Sequence, residues 1–139
     1  MASIPSDRNT KESYIAVLLM LAEADDKDHI NEDRFIRHVA VRLGLDEQDV
    51  DRIDKHPENL NFEFPRSEQA RMNLLYHLLF LMKIDGTVGP KEKKLCHEIG
   101  MRLGFHYQMV DELIGVMTQH IGKVIPDHIL LNIIKKYMN

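Results

Sequence analysis

The stretch from Leu74 to Leu103, LLYHLLFLMKIDGTVGPKEKKLCHEIGMRL, decides the fold. From Leu74 to Ile84 only His77 and Lys83 are polar, and a helix apolar around most of its circumference has to be enclosed by other elements. The pattern predicts a central helix. Asp85-Gly86-Thr87-Val88-Gly89-Pro90 then supplies two glycines for strained backbone angles and a proline suited to the first turn of a following helix. In that second helix Lys91, Glu92, Lys93 and Lys94 form a wet face, while Leu95, Cys96, Ile99 and Leu103 fall at helical spacing on a dry one.

Working outward, the rest of the chain reads the same way. Asn9 and Glu12 have the spacing of a capping box for a first helix through Tyr14, Ile15, Val17, Leu18, Leu19 and Leu21 to about Ala24. After the acidic loop Asp25-Asp26-Lys27-Asp28-His29-Ile30, Asn31 is placed to cap a second helix. Glu32 and Asp33 suit that helix's start, Phe35, Ile36, Val39 and Leu43 its apolar face, and Gly44 its end. Asp46 opens a third helix with Val50 and Ile53 inward, which stops near His56 because a residue before proline avoids helical geometry. Pro57 to Arg66, PENLNFEFPR, is a linker whose Leu60, Phe62 and Phe64 act as apolar hooks along the surface. Ser67 starts the central helix, and Pro90 and Gly104 bound the fifth. The sixth runs from about His106 to Thr118 with Met109, Val110, Leu113 and Met117 inward. Pro126 opens a seventh with Ile129, Leu130, Ile133, Ile134 and Tyr137 as a closing apolar stripe. No long run alternates with a period of two, so the expected fold is all-α.

The chain of 139 residues, 44% hydrophobic, suits one domain. Its 22 acidic and 18 basic residues give net charge -4, which argues against a dedicated nucleic-acid binder. The charge is uneven: 14 acids and 8 bases up to Leu60, then 8 acids and 10 bases. Cys96 is alone and fits a small core residue in a reducing compartment. MASIPSDRNTKES lacks the basic start and apolar run of a secretory signal. The apolar runs are also shorter than the roughly 20 residues a bilayer span needs. The expectation is a cytoplasmic protein that binds neither membrane nor nucleic acid, acts with an unknown protein partner, and is a monomer or a homodimer.

A shift of sixty aligns Leu18, Leu19, Leu21, Asp25, Glu32, Arg42, Leu43, Gly44, Val50 and Asp51 with Leu78, Leu79, Leu81, Asp85, Glu92, Arg102, Leu103, Gly104, Val110 and Asp111. Residues 1–139 are thus expected to form one domain: repeat one at about 10–56, the linker 57–66, repeat two at about 67–121, and a closing helix at about 126–138. A three-helix unit of this size would expose its apolar helix if alone. The two copies are therefore expected to pack their first helices together about a pseudo-twofold axis.

The pattern Leu-Leu-x-Leu-x-x-x-Asp-Gly-x-Val-x-x-x-Glu from Leu78 to Glu92, followed by Arg102-Leu103-Gly104, resembles the tellurite-resistance TerB-like family. It is also similar to the related domain at the front of certain membrane-tethered DnaJ-like co-chaperones. The resemblance runs from about Tyr14 to Tyr137, with Asp85-Gly86-Thr87-Val88 and Glu92 its most specific part. It implies a compact seven-helix fold of two three-helix repeats. It also implies association with stress operons, with metal-ion or oxyanion response, and with protein complexes. The first copy departs from the pattern, since Asp25-Asp26-Lys27-Asp28 lacks the glycine.

The sharpest candidate site is for a divalent metal ion. Asp and Glu recur seven apart, Asp25 with Glu32 and Asp85 with Glu92, and a pseudo-twofold axis would bring the four carboxylates together. The plain alternative is that Glu92 serves the helix dipole and Asp85 the turn amides. An EF-hand fails at its anchors, where Leu81 and Lys83 would stand. His97-Glu98-Ile99-Gly100-Met101 misses the zinc-protease helix because Met101 replaces the second imidazole. His56-Pro57-Glu58 differs from the J-domain tripeptide in its third residue. The four serines, Ser3, Ser6, Ser13 and Ser67, sit in the leader or near helix starts, no phosphate loop is present, and Cys96 and His97 point about 100° apart. No catalytic residue and no organic cofactor is expected. Lys91, Lys93, Lys94 and Arg102 form a solvated basic face, and His77 is a core histidine. Met72, Met82, Met101, Met109 and Met117 lie on helical stripes, where any left exposed would mark a partner surface. The expected function is therefore a non-enzymatic stress-response or protein-interaction module, with divalent-metal binding as the alternative.

Overall fold

The computed structural model describes residues 7–24, 30–84, 86 and 88–138. Among them the fold is all-α, with seven α-helices and no strand: α1 Arg8–Ala22, α2 Ile30–Arg42, α3 Glu47–Lys55, α4 Glu68–Ile84, α5 Pro90–Arg102, α6 Tyr107–Gln119 and α7 Asp127–Tyr137. One turn of 3-10 helix, Pro57–Asn59, opens the linker.

The helix boundaries follow local chemistry. α1 is capped by Asp7, whose carboxylate accepts from the Thr10 amide at 3.1 Å and from the Thr10 hydroxyl at 2.9 Å. This corrects the expected Asn9 cap. Asp7 can satisfy two donors, and Glu12 is drawn away by Arg8 and Arg52 at 3.1 and 2.8 Å. α1 also ends at Ala22, two residues before the expected Ala24. Asn31 lies inside the first turn of α2 rather than capping it, because the helix already begins at Ile30. Asp46 caps α3 as expected, in a reciprocal box with Asp49. Ser67 accepts from the Ala70 amide at 3.1 Å and starts α4.

The sixty-residue shift is visible in the elements. α2 and α5 start and stop sixty positions apart, and α1 with α4 and α3 with α6 share the same offset at their starts. Both α2 and α5 end in a Schellman turn. The Leu45 and Phe105 amides reach back to the Ala40 and Gly100 carbonyls, each at 2.9 Å. Gly44 at φ 86° and Gly104 at φ 91° supply the left-handed residue that L side chains resist. Each second helix is also tied to its third at one register, but with opposite charge logic. In the first copy Arg37 bridges Asp33 and Asp51 at 3.0 and 2.7 Å. In the second, Asp111 takes His97 at 3.1 Å and Lys93 at 3.8 Å.

α1 packs against α2, α3, α4 and α5, and α4 against α1, α2, α5 and α6. The core is therefore built around two long helices, and Leu74, Leu75, Leu78, Leu79, Leu81 and Met82 are fully buried as the apolar run requires. α1 is joined to α3 by a network in which Arg8 and Arg52 share Glu12 and Asp49. At the equivalent positions the second copy has Met72 for Glu12 and Met109 for Asp49, so that joint is apolar there. Glu112, at the position of Arg52, turns instead to α7, where it accepts from Lys136 at 2.8 Å and from the Tyr137 hydroxyl. α7 packs on α6 with its stripe only half-buried, and none of its residues is fully enclosed. No helix among the described residues is long and apolar enough to cross a membrane.

Candidate functional site

The linker does not simply lie on the surface. Its backbone is tied down at both sides: the Glu63 amide donates to the Ser13 hydroxyl at 2.9 Å, and Arg71 Nε donates to the Pro65 carbonyl at 2.8 Å. Leu60 and Phe64 pack against the core edge. Phe62 meets Phe64 edge to face with centroids 4.9 Å apart, but 42% of its surface stays exposed. The linker therefore forms one bank of an open apolar groove rather than a lid over it.

Val17 and Met20 of α1 form the floor, and Leu95 and Ile99 of α5 the opposite bank. This main hollow has a volume of about 360 Å³, with Glu98 and Arg102 at its α5 lip. A second hollow of about 160 Å³ lies on the other side of Met20 and Phe62, between α1, Ile53 of α3 and Leu60, and is edged by Glu23 and Asp54. Met20 is 49% exposed. A flexible thioether and an aromatic ring thus stand side by side as a ridge between two apolar hollows, each open to solvent. Arg102, Glu98 and Asp54 make no ion pair among the described residues. A wider cleft bounded by Glu68, His106 and Tyr137 lies by the C-terminal end of α7 and is far less enclosed.

Of the four expected metal ligands, Asp25 and Asp85 lie outside the described residues. Glu32 and Glu92 occupy matching places in the first turns of α2 and α5, and both are buried, at 2% and 1% exposure. Glu92 Oε1 accepts from the Gly89 amide at 3.1 Å, which satisfies one donor at the start of α5. Among the described residues no group of three His, Cys, Asp or Glu is placed to hold a metal ion.

Cys96 is fully buried and its thiol is pushed up to about 12, first by burial and then by the Glu92 charge. That is the opposite of what an attacking thiolate needs. His97 stacks on Tyr107 at 4.1 Å and presents Nε2 to Asp111, leaving Nδ1 buried without a partner. His77 lies 2.5 Å from the Tyr14 hydroxyl and edge-on to Phe35. Burial, helped by the Arg42 charge, lowers its imidazole to about 4, so it is neutral at pH 7.

Sequence reasoning recognised Phe62 as a hook but missed Met20 and the groove. Met20 continues the apolar run of α1 and carries no mark of facing outward. Met101, on a stripe as expected, is 59% exposed, whereas Met82, Met109 and Met117 are buried. The chain matches no protein-family model, no curated protein and no solved structure.

Proposed function

We propose that this chain is a non-enzymatic, TerB-like helical module that works by binding a protein partner, in a stress-response setting, and that the groove between α1, the linker and α5 is its docking surface. The observation that carries the reading is the exposed ridge of Met20 and Phe62 standing between two apolar hollows. Apolar surface grouped in a concavity and edged by charged groups is what partner sites have in common. The chemistry of the interior agrees with a binding role, since Cys96 is held as a thiol and His77 as a neutral base within the fold.

The test is photo-crosslinking in the source cells with benzoylphenylalanine placed at Phe62, at Met20 and, as an exposed control, at Leu131. A discrete adduct from both groove positions that the Leu131 position lacks supports docking. Adducts of equal pattern and yield at all three positions would remove the groove from the reading.

The second reading is a divalent-metal ion bound by Asp25, Glu32, Asp85 and Glu92. What supports it is the matching place of Glu32 and Glu92, both buried in the first turns of α2 and α5. Calorimetric titration of chelator-stripped protein with Ca²⁺, Mg²⁺, Mn²⁺ and Zn²⁺ tests it, repeated on the Asp85→Ala, Glu92→Ala double variant. Binding that disappears in the variant supports the site. Absence of heat, or binding that the variant keeps, rejects it.

A further inference from the structure

We infer that the partner enters the groove as an amphipathic α-helix with two apolar side chains one turn apart, an acidic edge toward α5 and a basic edge toward α3. The inference rests on the docking reading above and goes beyond it by naming the shape and charge of what binds.

The shape follows from what the banks offer. An added β-strand needs an unbroken edge of free amides and carbonyls, and the short linker offers only an interrupted one. The Glu63 amide is taken by Ser13, the Pro65 carbonyl by Arg71, and Pro65 has no amide proton. A helix satisfies its own backbone and asks only for apolar contact. The groove is framed by helices α1 and α5, whose side-chain rows can seat the rows of a third helix. The Met20 and Phe62 ridge divides the floor into two hollows of about 360 and 160 Å³. Two anchors on successive turns of one helix face would drop on either side of it.

The charge follows from the two lips. Leu95, Glu98 and Arg102 share one row of α5 with Lys91, and Lys94 lies beside that row, so this lip carries three bases and one acid. The opposite lip carries Glu23 and Asp54. Lys91, Lys94, Arg102 and Asp54 have no ion-pair partner among the described residues, so their charges are available to steer a ligand.

The experiment uses the full chain and three fluorescent, hydrocarbon-stapled helical peptides with the same pair of leucines. One has glutamates on one edge and lysines on the other, one has glutamates on both, and one has lysines on both. Helices of the first kind can present the matching edges in only one of the two directions along the groove, so direction needs no assumption. Fluorescence anisotropy should rank the two-edged peptide about tenfold tighter than either single-charge peptide at low salt. That advantage should shrink to about twofold near 0.5 M salt. Asp54→Lys leaves the acidic lip with one acid and one base, and should cancel the lead of the two-edged peptide over the all-glutamate peptide. Phe62→Asp, with its helical circular dichroism intact, should abolish binding of all three.

Equal affinity for the three peptides, or a ranking that Asp54→Lys leaves unchanged, overturns the charge assignment. Binding that survives Phe62→Asp overturns the location. If no peptide binds while crosslinks from Phe62 and Met20 still capture a protein, the docking surface stands and the helical occupant is wrong. If both experiments are blank, the docking reading falls with it. Concentration-dependent dimerisation in sedimentation, lost in Phe62→Asp, would make the occupant a second copy and also overturn the inference.

Discussion

His77 enters an otherwise apolar helix and is kept there by neighbours from two other helices, a hydroxyl from Tyr14 of α1 and a ring edge from Phe35 of α2. The phenol is the more acidic of the two neutral groups, so it donates and Nδ1 accepts. Burial sets both acidities, raising the phenol and lowering the imidazole to about 4. Because the folded value lies below the ordinary 6.5, the unfolded chain takes up a proton that the folded chain refuses. Stability should therefore fall as pH drops from about 6.5 to about 4 and level off below. The partial exposure of His77 limits the loss to roughly 1 to 2 kcal/mol. Thermal melts across that range for the wild type and for His77→Leu isolate the effect, since the variant lacks the term and every other titrating group is shared. Tyr14→Phe removes the donor and should cost about 1 to 3 kcal/mol at pH 7. Gly100 makes a second demand at this scale. A Cβ there would meet Val110 Cγ2 at 2.8 Å, and a buried β-branched side chain cannot turn aside. The first copy has Ala40 at that place, so the close approach of α5 to α6 is a property of the second copy alone. Gly100→Ala should destabilise by roughly 1 to 3 kcal/mol in denaturant melts despite its better helix propensity.

The helices were the most legible level, and the reasons are local. Leu74–Met82, Pro90, Gly44 and Gly104 each act through backbone or hydrophobic rules that a few neighbouring residues fix, and the structure has them as expected. The missed caps show where locality ends. Asn9 and Asp7 both offer a side-chain acceptor, and the choice turned on Arg52, some forty positions away, competing for Glu12. α7 shows the same limit. Its stripe reads as strongly as that of α6, but burial depends on what stands opposite, and only half of it is covered. Little apolar burial then leaves Glu112 as the main specific tie, through Lys136 and Tyr137. Amides of α7 should exchange with solvent well before those of α1 and α4, by local opening rather than global unfolding. Glu112→Ala should speed α7 exchange further while leaving the α1 and α4 amides at their wild-type rates. Uniform exchange across α1, α4 and α7 would show that α7 is part of the cooperative core.

The groove belongs to the whole molecule because no stretch of sequence contains it. Val17 and Met20, Phe62, and Leu95 and Ile99 come from three separate regions, and what joins them is the packing of α1 on α5 with the linker laid across their edge. The sequence separates core from surface by periodicity, and Met20 sits in a run that reads as core while Phe62 reads as a linker hook packed along the surface. Their exposure arises because, among the described residues, no further element lies over them. The expected carboxylate site was legible in the opposite way: the Asp and Glu spacing is plain in sequence, and the burial of Glu32 and Glu92 in matching first turns is consistent with either a helix-start role or a ligand role. A groove kept for a partner makes a definite demand on stability. Side chains that hold the fold together lose much when truncated, and Leu78→Ala, at 0% exposure, should cost about 2 to 5 kcal/mol. Side chains that wait for a partner lose little. Met20→Lys and Phe62→Asp leave water where water already reaches, so each should cost no more than about 1 kcal/mol, while together they remove the ridge between the hollows. Thermal melts of Leu78→Ala, of the two single ridge variants and of their double variant decide the matter. A double variant that melts near the wild type but no longer binds the two-edged helical peptide separates binding from folding. One that melts as low as Leu78→Ala would mean that the ridge is core after all, and that the space on either side of it serves packing rather than recognition.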